Sequence, residues 1–407
     1  MQVALSHRTF FLLGLLLIAI GLSLSPALMS IGQGVLVLNW LIEGEFKSKA
    51  QSITSNRYLL AFLSIIGIHL LGLLYTSNFE YALKDLKIKL PLLLIPIVLA
   101  STKKLEQKEL KILCYTLLFS VLASSLYSFS IYLQIDHSRV DTLRNISPII
   151  SHIRFSLIIC VCFFVLLYLI FTSDEGTWHW KNILWMGMAL WFFIFIGILG
   201  ARAGYLALIV CIGATVLYQV IVAKKWMYIA VFFIAIIALP LAMYQFSPSV
   251  KQRINEVQYE VNHYKAGGNP SGHSITQRFE YWKIAKHIIS QNPLLGVGTG
   301  DIDDAFKNYY AQNETPIKKE YQFRSHNQYL SIASTFGILG LLIFLVALLY
   351  PYFVGIESYA FLPSVFIIIT MLSMLTEDTL ETQAGATYVA YFYSLFLFSA
   401  FRKNTSL

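Results

Sequence analysis

The stretch FRSHNQYLSIASTFGILGLLIFLVALLY, residues 323–350, places ionisable groups directly before an uncharged apolar run. That run has the length of about 20 residues that a helix needs to cross a bilayer. Similar runs recur along almost the whole chain of 407 residues, of which 57% are hydrophobic and only 13% charged. Soluble proteins keep roughly a quarter of their residues charged. The sequence therefore predicts an all-α, polytopic integral membrane helix bundle.

We predict about twelve transmembrane helices from the apolar runs. They lie near residues 10–26, 27–42, 58–75, 89–100, 111–133, 148–171, 182–199, 203–222, 227–246, 326–349, 355–375 and 384–401. The second and fourth are short or contain prolines (Pro26; Pro91 and Pro96), so we expect them to be tilted, kinked or partly re-entrant.

The distribution of Lys and Arg predicts that both termini are cytoplasmic. With the N-terminus inside, the inside segments hold more of these residues than the short outside segments do. The long segment 247–325, between the ninth and tenth spans, is then a periplasmic loop on a single membrane domain, 1–407. The N-terminus resembles a signal peptide, but its apolar stretch is long for one, and we expect it to remain as the first span.

The sequence of the long loop predicts two helices joined by a turn. SITQRFEYWKIAKHIIS begins with a capping-box pattern, Ser274 and Gln277, and carries an apolar stripe at helical spacing. GVGTG, residues 296–300, predicts a turn that lets the loop and the membrane body approach closely. Asp301 is positioned to cap a second helix, DDAFKNYYAQ. No strand–turn–helix context supports dinucleotide binding at the glycines.

Composition also argues against several functions. The net charge of +8 does not predict nucleic-acid binding, because the positive residues lie in loops between the spans. The four cysteines all lie inside apolar runs, without the spacing of metal ligands or of a disulfide framework. We therefore expect small packing residues there, and the sequence gives no reason to expect a bound metal or cofactor.

Three basic residues on the predicted outer face form the main candidate site. His326 stands where the tenth span begins, followed on one helical face by small residues that permit close helix packing. Arg202 follows a glycine and an alanine between two spans, and Arg278 opens the loop helix. A neutral imidazole can act as a general base, and guanidinium groups suit phosphate oxygens. The structural alternatives are a helix cap, a snorkelling arginine and a surface arginine.

Six further polar residues are secondary candidates, each more typical of a structural role. They are Asn327, Arg324, His152, Arg154, Glu377 and Glu381. Glu377 is placed so that it could orient His326 or pair with an arginine.

These residues carry a family resemblance. His326-Asn327, nine residues and then Gly337-Ile338-Leu339-Gly340 resembles the signature of the bacterial O-antigen ligase / O-antigen polymerase superfamily. QRFEYWKIAKHIISQNPLLGVGTGDIDDAF is similar to the family's loop helix and glycine-rich turn, and GARAGYLAL resembles its arginine-containing span start. TEDTLETQAGATYVAYFYSLF is similar to its C-terminal span.

The resemblance implies a metal-independent, inverting glycosyltransferase of the bacterial inner membrane. Its donor would be a periplasm-facing glycan on undecaprenyl diphosphate, with His326 as the base and Arg202 and Arg278 holding the diphosphate. A ligase transfers the glycan to the lipid A–core of lipopolysaccharide, and a polymerase transfers it to another repeat unit. One large outer loop favours a ligase.

A transporter of a small solute such as bicarbonate is the alternative from a different class. Transporters carry paired ionisable groups within their spans. The predicted spans here are almost wholly apolar at mid-depth, with His69 as the main exception, and the charges collect on one face. This pattern favours an enzyme that works on one side of the membrane.

Overall fold

The computed structural model describes residues 6–134, 146–173, 179–221, 248–354 and 361–399, together with a few single residues between 222 and 247. All regular secondary structure in these ranges is helical, which confirms the predicted all-α fold. Eight of the described helices are long and apolar enough to cross a membrane, and a shorter apolar helix adds to them. The chain is a multi-pass membrane helix bundle.

Six helices precede residue 135 and include one that was not predicted. They are α1 (His7–Leu24), α2 (Pro26–Glu43), α3 (Phe46–Ser55), α4 (Arg57–Leu71), α5 (Phe79–Ser101) and α6 (Gln107–Tyr132). A 3-10 turn, Gly72–Tyr75, extends α4. Pro26 occupies the first turn of an unbroken α2, where its missing N–H costs nothing, so the expected kink there is wrong. The unpredicted helix, α3, is short and largely polar.

Nine helices follow, six of them in predicted spans. They are α7 (His152–Phe171), α8 (Trp180–Leu199), α9 (Arg202–Ile221), α10 (Pro248–Lys265), α11 (Thr276–Gln291), α12 (Ile302–Gln312), α13 (Gln328–Phe353), α14 (Phe361–Met374) and α15 (Gln383–Phe398). The predicted ninth span, 227–246, lies almost entirely outside the described residues.

The prediction that the fourth span is short, near 89–100, is wrong. Helix α5 begins at Phe79, where the side chain of Asn78 accepts a backbone N–H of the first turn. Pro91 and Pro96 lie inside the helix without ending it. The helix therefore runs well beyond the apolar run from which the span was predicted.

The expectation of apolar mid-span residues is also wrong for α5. Lys89 is 1% exposed and donates hydrogen bonds to Asp85 and Glu381. His69 on α4 lies close by, with Nε2 3.9 Å from Asp85 Oδ2. An ammonium group can be buried here because two carboxylates neutralise it.

The helices pack so that the predicted outer segments meet at one end. Helix α1 packs on α2 and α6, α4 on α13, and α5 on α15, while α7 contacts α8, α9 and α14. The end that carries residues 248–326 also carries the α4–α5 and α14–α15 connections, and it is called the loop end below. All four cysteines are buried and free, as their positions in apolar runs predicted.

Helix α13 is broken at Gly337, and the glycine-rich turn fills the break. Gly337 has φ 67° and ψ −169°, which is not helical. Residues 293–298 lie against it: their N–H groups donate to the carbonyls of Ser334 and Thr335, at 3.1 and 2.9 Å, and their first carbonyl accepts the N–H of Ile338 at 2.8 Å. The turn thus satisfies backbone groups that the break leaves without helical partners.

The role expected for the small residues of α13 needs correction. A Cβ at Gly337 would lie 2.1 Å from the carbonyl oxygen of Leu294, so the glycine admits loop backbone rather than a neighbouring helix. The predicted close approach of GVGTG to the membrane body is confirmed. A Cβ at Gly296 would meet Thr335 backbone, and one at Gly300 would lie 1.9 Å from the carbonyl oxygen of Asn78.

Asp301 fixes the same turn to the α4–α5 connection. It precedes α12 as predicted, but its side chain makes no capping bond there. Its carboxylate accepts the backbone N–H groups of Ser77 and Asn78, at 2.8 and 2.7 Å, and the hydroxyl of Thr76 at 3.1 Å. The acid holds a chain segment far away in sequence instead of its own helix.

The predicted capping box of α11 is not formed. Ile275 occupies the N-cap position. The hydroxyl of Ser274 accepts a bond from Arg202, and the side chain of Gln277 accepts the N–H of Gly272. Both side chains therefore bond to groups outside the helix instead of to each other's backbone.

Replacing Gly337 with alanine is expected to lower the free energy of unfolding by about 2 kcal/mol or more, because the φ/ψ region is open essentially only to glycine and the new Cβ meets backbone. Thermal unfolding in detergent measures the effect. Gly67→Ala is the matched control, since nothing lies within 4 Å of its Cβ position. Equal melting temperatures for the two variants would contradict the packing described here.

Candidate functional site

A cavity of about 340 Å³ opens at the loop end, where the loop meets the start of α7 and the α14–α15 connection. Its ionisable lining includes Arg154, Arg324, His326, Glu377, Asp378 and Glu381. A larger hollow, of about 480 Å³, lies along α10, but its described lining has neither histidine nor arginine. The chemistry of its side chains, rather than its size, distinguishes the first cavity.

His326 occupies an unusual backbone conformation directly before α13. Its φ of 45° is left-handed, which is uncommon for a residue other than glycine. The ring is partly buried beside Tyr281 and Phe323, with centroids 5.8 and 6.0 Å away. Strained conformations of this kind persist where surrounding contacts impose them. The imidazole is therefore held in one place on the cavity wall.

The surroundings of His326 favour the neutral imidazole. Burial is the main cause that lowers its pKa below the usual value of 6.5. The carboxylate of Asp378 opposes this shift, while the guanidinium groups of Arg278 and Arg324 add to it. A neutral ring near pH 7 has a nitrogen that can accept a proton.

Asp378 holds the backbone around His326 in place. One oxygen, Oδ1, accepts the N–H of Asn327 and the hydroxyl of Ser331, both at 2.9 Å, and the hydroxyl of Ser325 at 3.3 Å. The sequence did not single out this residue. The signal was present, because Asp378 belongs to the acidic run TEDTLE whose other acids were already candidates.

Asn327 has a structural role at the start of α13. Its side-chain oxygen accepts the N–H of Leu330 at 3.0 Å, and its amide donates to the carbonyl of Leu375 at 2.9 Å. Both ends of the side chain are thus used in capping and in joining α13 to the end of α14. Asn327, a secondary candidate, therefore fixes the backbone next to His326.

Arg324 and Glu381 form an ion pair at the edge of the cavity. Arg324 donates to Glu381 Oε2 at 3.1 Å and lies 6.0 Å from the ring of Tyr81. Glu381 also accepts from Gln328 at 3.3 Å and from Lys89 at 3.1 Å. Burial opposes the charge on Glu381, but Lys89 and Arg324 outweigh it and lower its pKa. The carboxylate is therefore ionised and links α5 and the start of α13 to the α14–α15 connection.

Arg202 and Arg278, the predicted pair, are brought together by Ser274. Arg202 donates to its hydroxyl and Arg278 to its carbonyl, both at 3.0 Å. Each guanidinium also meets a carboxylate: Arg278 lies 2.8 Å from Glu377, and Arg202 lies 3.3 Å from Glu256. Sequence reasoning found no acid adjacent to Arg202, whereas the fold supplies one from α10.

Glu377 lines the cavity and pairs with Arg278, and pairing with an arginine was one of the two roles that the sequence suggested for it. Burial raises its pKa above the usual value, Asp378 adds to the rise, and Arg278 and Arg154 oppose it. This carboxylate is thus held less firmly in its charged form than an exposed glutamate is.

Arg154 faces the cavity from the first turn of α7. The side chain is partly buried, and among the described residues it forms no ion pair within 4.0 Å. The carboxylate of Glu377 is near enough to interact with it electrostatically. His152, two residues earlier, begins α7 and is not among the side chains that line the cavity.

Sequence reasoning also missed Lys89 and Asp85, which support Glu381 from inside the bundle. Their four-residue separation is the spacing at which opposite charges pair on a helix. The fourth predicted span, near 89–100, begins at Lys89 and leaves Asp85 outside it, so the pair did not stand out as buried.

Two comparisons bear on the chain. A family model described as O-Antigen ligase matches residues 187–345, which include Arg202, Arg278, Arg324 and His326. A protein of Haemophilus influenzae, named only "Uncharacterized protein", is 29% identical over 163 residues. That match covers 39% of this chain and 40% of the relative, so it spans less than half of either.

Replacing Asp378 with alanine is expected to lower the free energy of unfolding by about 3 kcal/mol, because a buried N–H and two hydroxyls lose a charged acceptor. Thermal unfolding of the purified protein measures this. Glu320→Ala, which removes an exposed acid of the same loop end, is expected to change little. A melting temperature for the Asp378 variant equal to that of the control would show that the segment does not depend on this carboxylate.

Proposed function

We propose that the chain is a glycan ligase of a bacterial inner membrane, a proposal supported by the match of residues 187–345 to the O-Antigen ligase family model. In this proposal the loop end is periplasmic and both termini are cytoplasmic. The donor is a glycan on undecaprenyl diphosphate, and the acceptor is the lipid A–core of lipopolysaccharide. Segment 247–325 is a periplasmic elaboration of one membrane domain.

The proposed reaction is a single displacement at the anomeric carbon of the donor. A hydroxyl oxygen of the acceptor bonds to that carbon while His326 takes the hydroxyl proton. The bond between the anomeric carbon and the diphosphate oxygen breaks, and the diphosphate leaves with the electron pair. Attack opposite the leaving group inverts the configuration. The positive charge comes from side chains, with no metal or cofactor in the proposal.

The observation that carries this proposal is one cavity that combines a neutral imidazole with guanidinium groups. A base must be unprotonated at the start of the reaction, and the environment of His326 favours that state. A leaving diphosphate gains negative charge as its bond breaks, and fixed cations stabilise that change. Arg154 and Arg324 line the same cavity as His326. Separate cavities for base and cations would not support transfer.

The guanidinium groups differ in how readily they can take phosphate. Arg154 has no ion-pair partner within the described residues, and Arg324 gives one nitrogen to Glu381. Arg278 is paired with Glu377, whose charge burial already disfavours, so a phosphate oxygen can take that carboxylate's place. Arg202 bonds to the same residue, Ser274, as Arg278 does, so its guanidinium group lies next to that of Arg278.

A polymerase of the same superfamily remains the main alternative, because the same base and cations serve either acceptor. It would lengthen the glycan on the donor lipid without any lipid A–core. The short segment near 134–147, which favoured a ligase at the sequence level, lies largely outside the described residues.

The transporter alternative gains one feature from the fold, the buried charges of α5. These charges neutralise each other and connect to the cavity wall through Glu381. That arrangement supports an enzyme more than a substrate pathway. Uptake of bicarbonate by the protein in liposomes would revive the transporter.

His326→Ala is expected to lower glycan transfer by about a hundredfold or more, the usual contribution of a general base. The assay uses full-length protein in detergent, glycan-diphosphate-lipid donor and lipid A–core, and it detects glycan on the core. His287→Ala is the matched control, because His287 is exposed on α11 and its ring makes an edge-to-face contact with Tyr309. Arg278→Ala is expected to lose transfer as well.

The same assay separates the alternatives. If His326→Ala forms product at the control rate, His326 is not the catalytic base. Longer glycan that stays on the donor lipid, with no transfer to the core, would make the protein a polymerase.

The rate of transfer is expected to be constant around pH 7 and to fall as the pH drops below 6.5. The pKa of His326 is lowered, so the neutral base is present at neutral pH and is lost only when the pH falls through that lowered value. A pH–rate profile at saturating donor measures it. An acid limb with its midpoint above 6.5 would contradict the environment described for His326.

A further inference from the structure

A row of charged side chains runs from the cavity into the helix bundle. Arg324 on the cavity wall and Lys89 inside the bundle both donate to Glu381 Oε2, each at 3.1 Å. Lys89 also donates to Asp85, whose other oxygen lies 3.9 Å from Nε2 of His69. Cations and carboxylates therefore alternate from the wall inward and end at an imidazole.

Exposure falls along the outer part of this row, from the cavity wall to Lys89. The side chain of Arg324 is 19% exposed, that of Glu381 11% and that of Lys89 1%. Burying an ammonium group so completely is unfavourable unless carboxylates surround it. An ionisable residue at such a position in a membrane protein is a functional hypothesis by default.

The two carboxylates around Lys89 lead in different directions. Asp85 lies one helical turn earlier on α5 and pairs with the ammonium within the same helix. The second contact, with Glu381, comes from the α14–α15 connection and reaches Arg324 through the same oxygen atom. This second contact therefore has a further effect besides neutralising Lys89. It holds the carboxylate of Glu381 in place, and that carboxylate in turn holds Arg324.

We propose that Lys89 is a positioning residue of the anion site: by holding Glu381 from inside the bundle, it keeps Arg324 on the cavity wall beside His326, where it meets the diphosphate of a lipid-linked donor. Lys89 is not among the side chains that line the cavity, so it acts only through Glu381 and Arg324. The inference rests on the proposed function in one respect, that the cavity binds a diphosphate.

The test removes Lys89 without leaving an unbalanced charge. Asp85→Asn combined with Lys89→Met deletes an acid and a base together and keeps Arg324 and Glu381. Lys49→Met is the matched control, since Lys49 is 3% exposed and pairs with Glu43 at 2.8 Å at the opposite end of the bundle. Both variants are checked by thermal unfolding before binding is measured.

Binding of farnesyl diphosphate to the full-length protein in detergent is the readout, measured by calorimetry. The Kd of the double variant is expected to rise about tenfold, because one charge-assisted contact is no longer held in place. The Kd of Lys49→Met is expected to stay at the wild-type value. In an Arg324→Gln background, the double substitution should have no further effect, because residues that act through one another are not additive.

Wild-type affinity in the folded double variant would overturn the inference, and so would a full tenfold loss in the Arg324→Gln background. Should the double variant not fold, Glu381→Asp decides, since it keeps every charge but retracts the shared carboxylate by one methylene. Weaker binding then supports the inference, and wild-type binding overturns it. Wild-type protein that does not bind farnesyl diphosphate would contradict the proposed function itself, a result distinct from binding that ignores Lys89.

Discussion

The loop end depends on one acidic segment, residues 377–381, between α14 and α15. Glu377 pairs with Arg278 of the loop, Asp378 holds the backbone beside His326, and Glu381 joins Arg324 to Lys89. Three acids within five residues thus bind the loop, α13 and α5 to a single point. Each is largely removed from water, where an unmatched charge is costly. Ion pairs and charge-assisted hydrogen bonds therefore join these elements at this end of the bundle.

The glycine contacts complement this constraint on the other side of the loop. Gly337 breaks α13, and the turn at 296–300 enters the break and reaches the α4–α5 connection, where Asp301 holds it. The loop is therefore attached through backbone at one edge and through ion pairs at the other. His326 lies just before α13, between the two attachments, which explains how a left-handed backbone can persist there.

The sequence predicted those features that depend on local pattern. Apolar runs located most of the described spans, and the polar stretch before one of them located His326. It did not predict that α5 extends back past Lys89, because one of the two carboxylates that neutralise this buried ammonium, Glu381, lies 292 residues away. The capping box at Ser274 failed for the same reason, since Arg202 takes that hydroxyl. Gly337 matched a helix-packing pattern, although its partner is loop backbone.

The charged row that passes through α5 also bears on the proposal that the reaction takes place on one side of the membrane. Ionisable groups inside a membrane bundle can mark a pathway for an ion or a solute. Here the row ends at His69, whose ring packs on Phe336 at 4.6 Å and whose Nδ1 lies 2.7 Å from the carbonyl of Ile65. The inner end is thus closed by an aromatic ring and a backbone contact. Charge enters the bundle only far enough to hold Arg324, which suits a site that binds an anionic leaving group at the loop end.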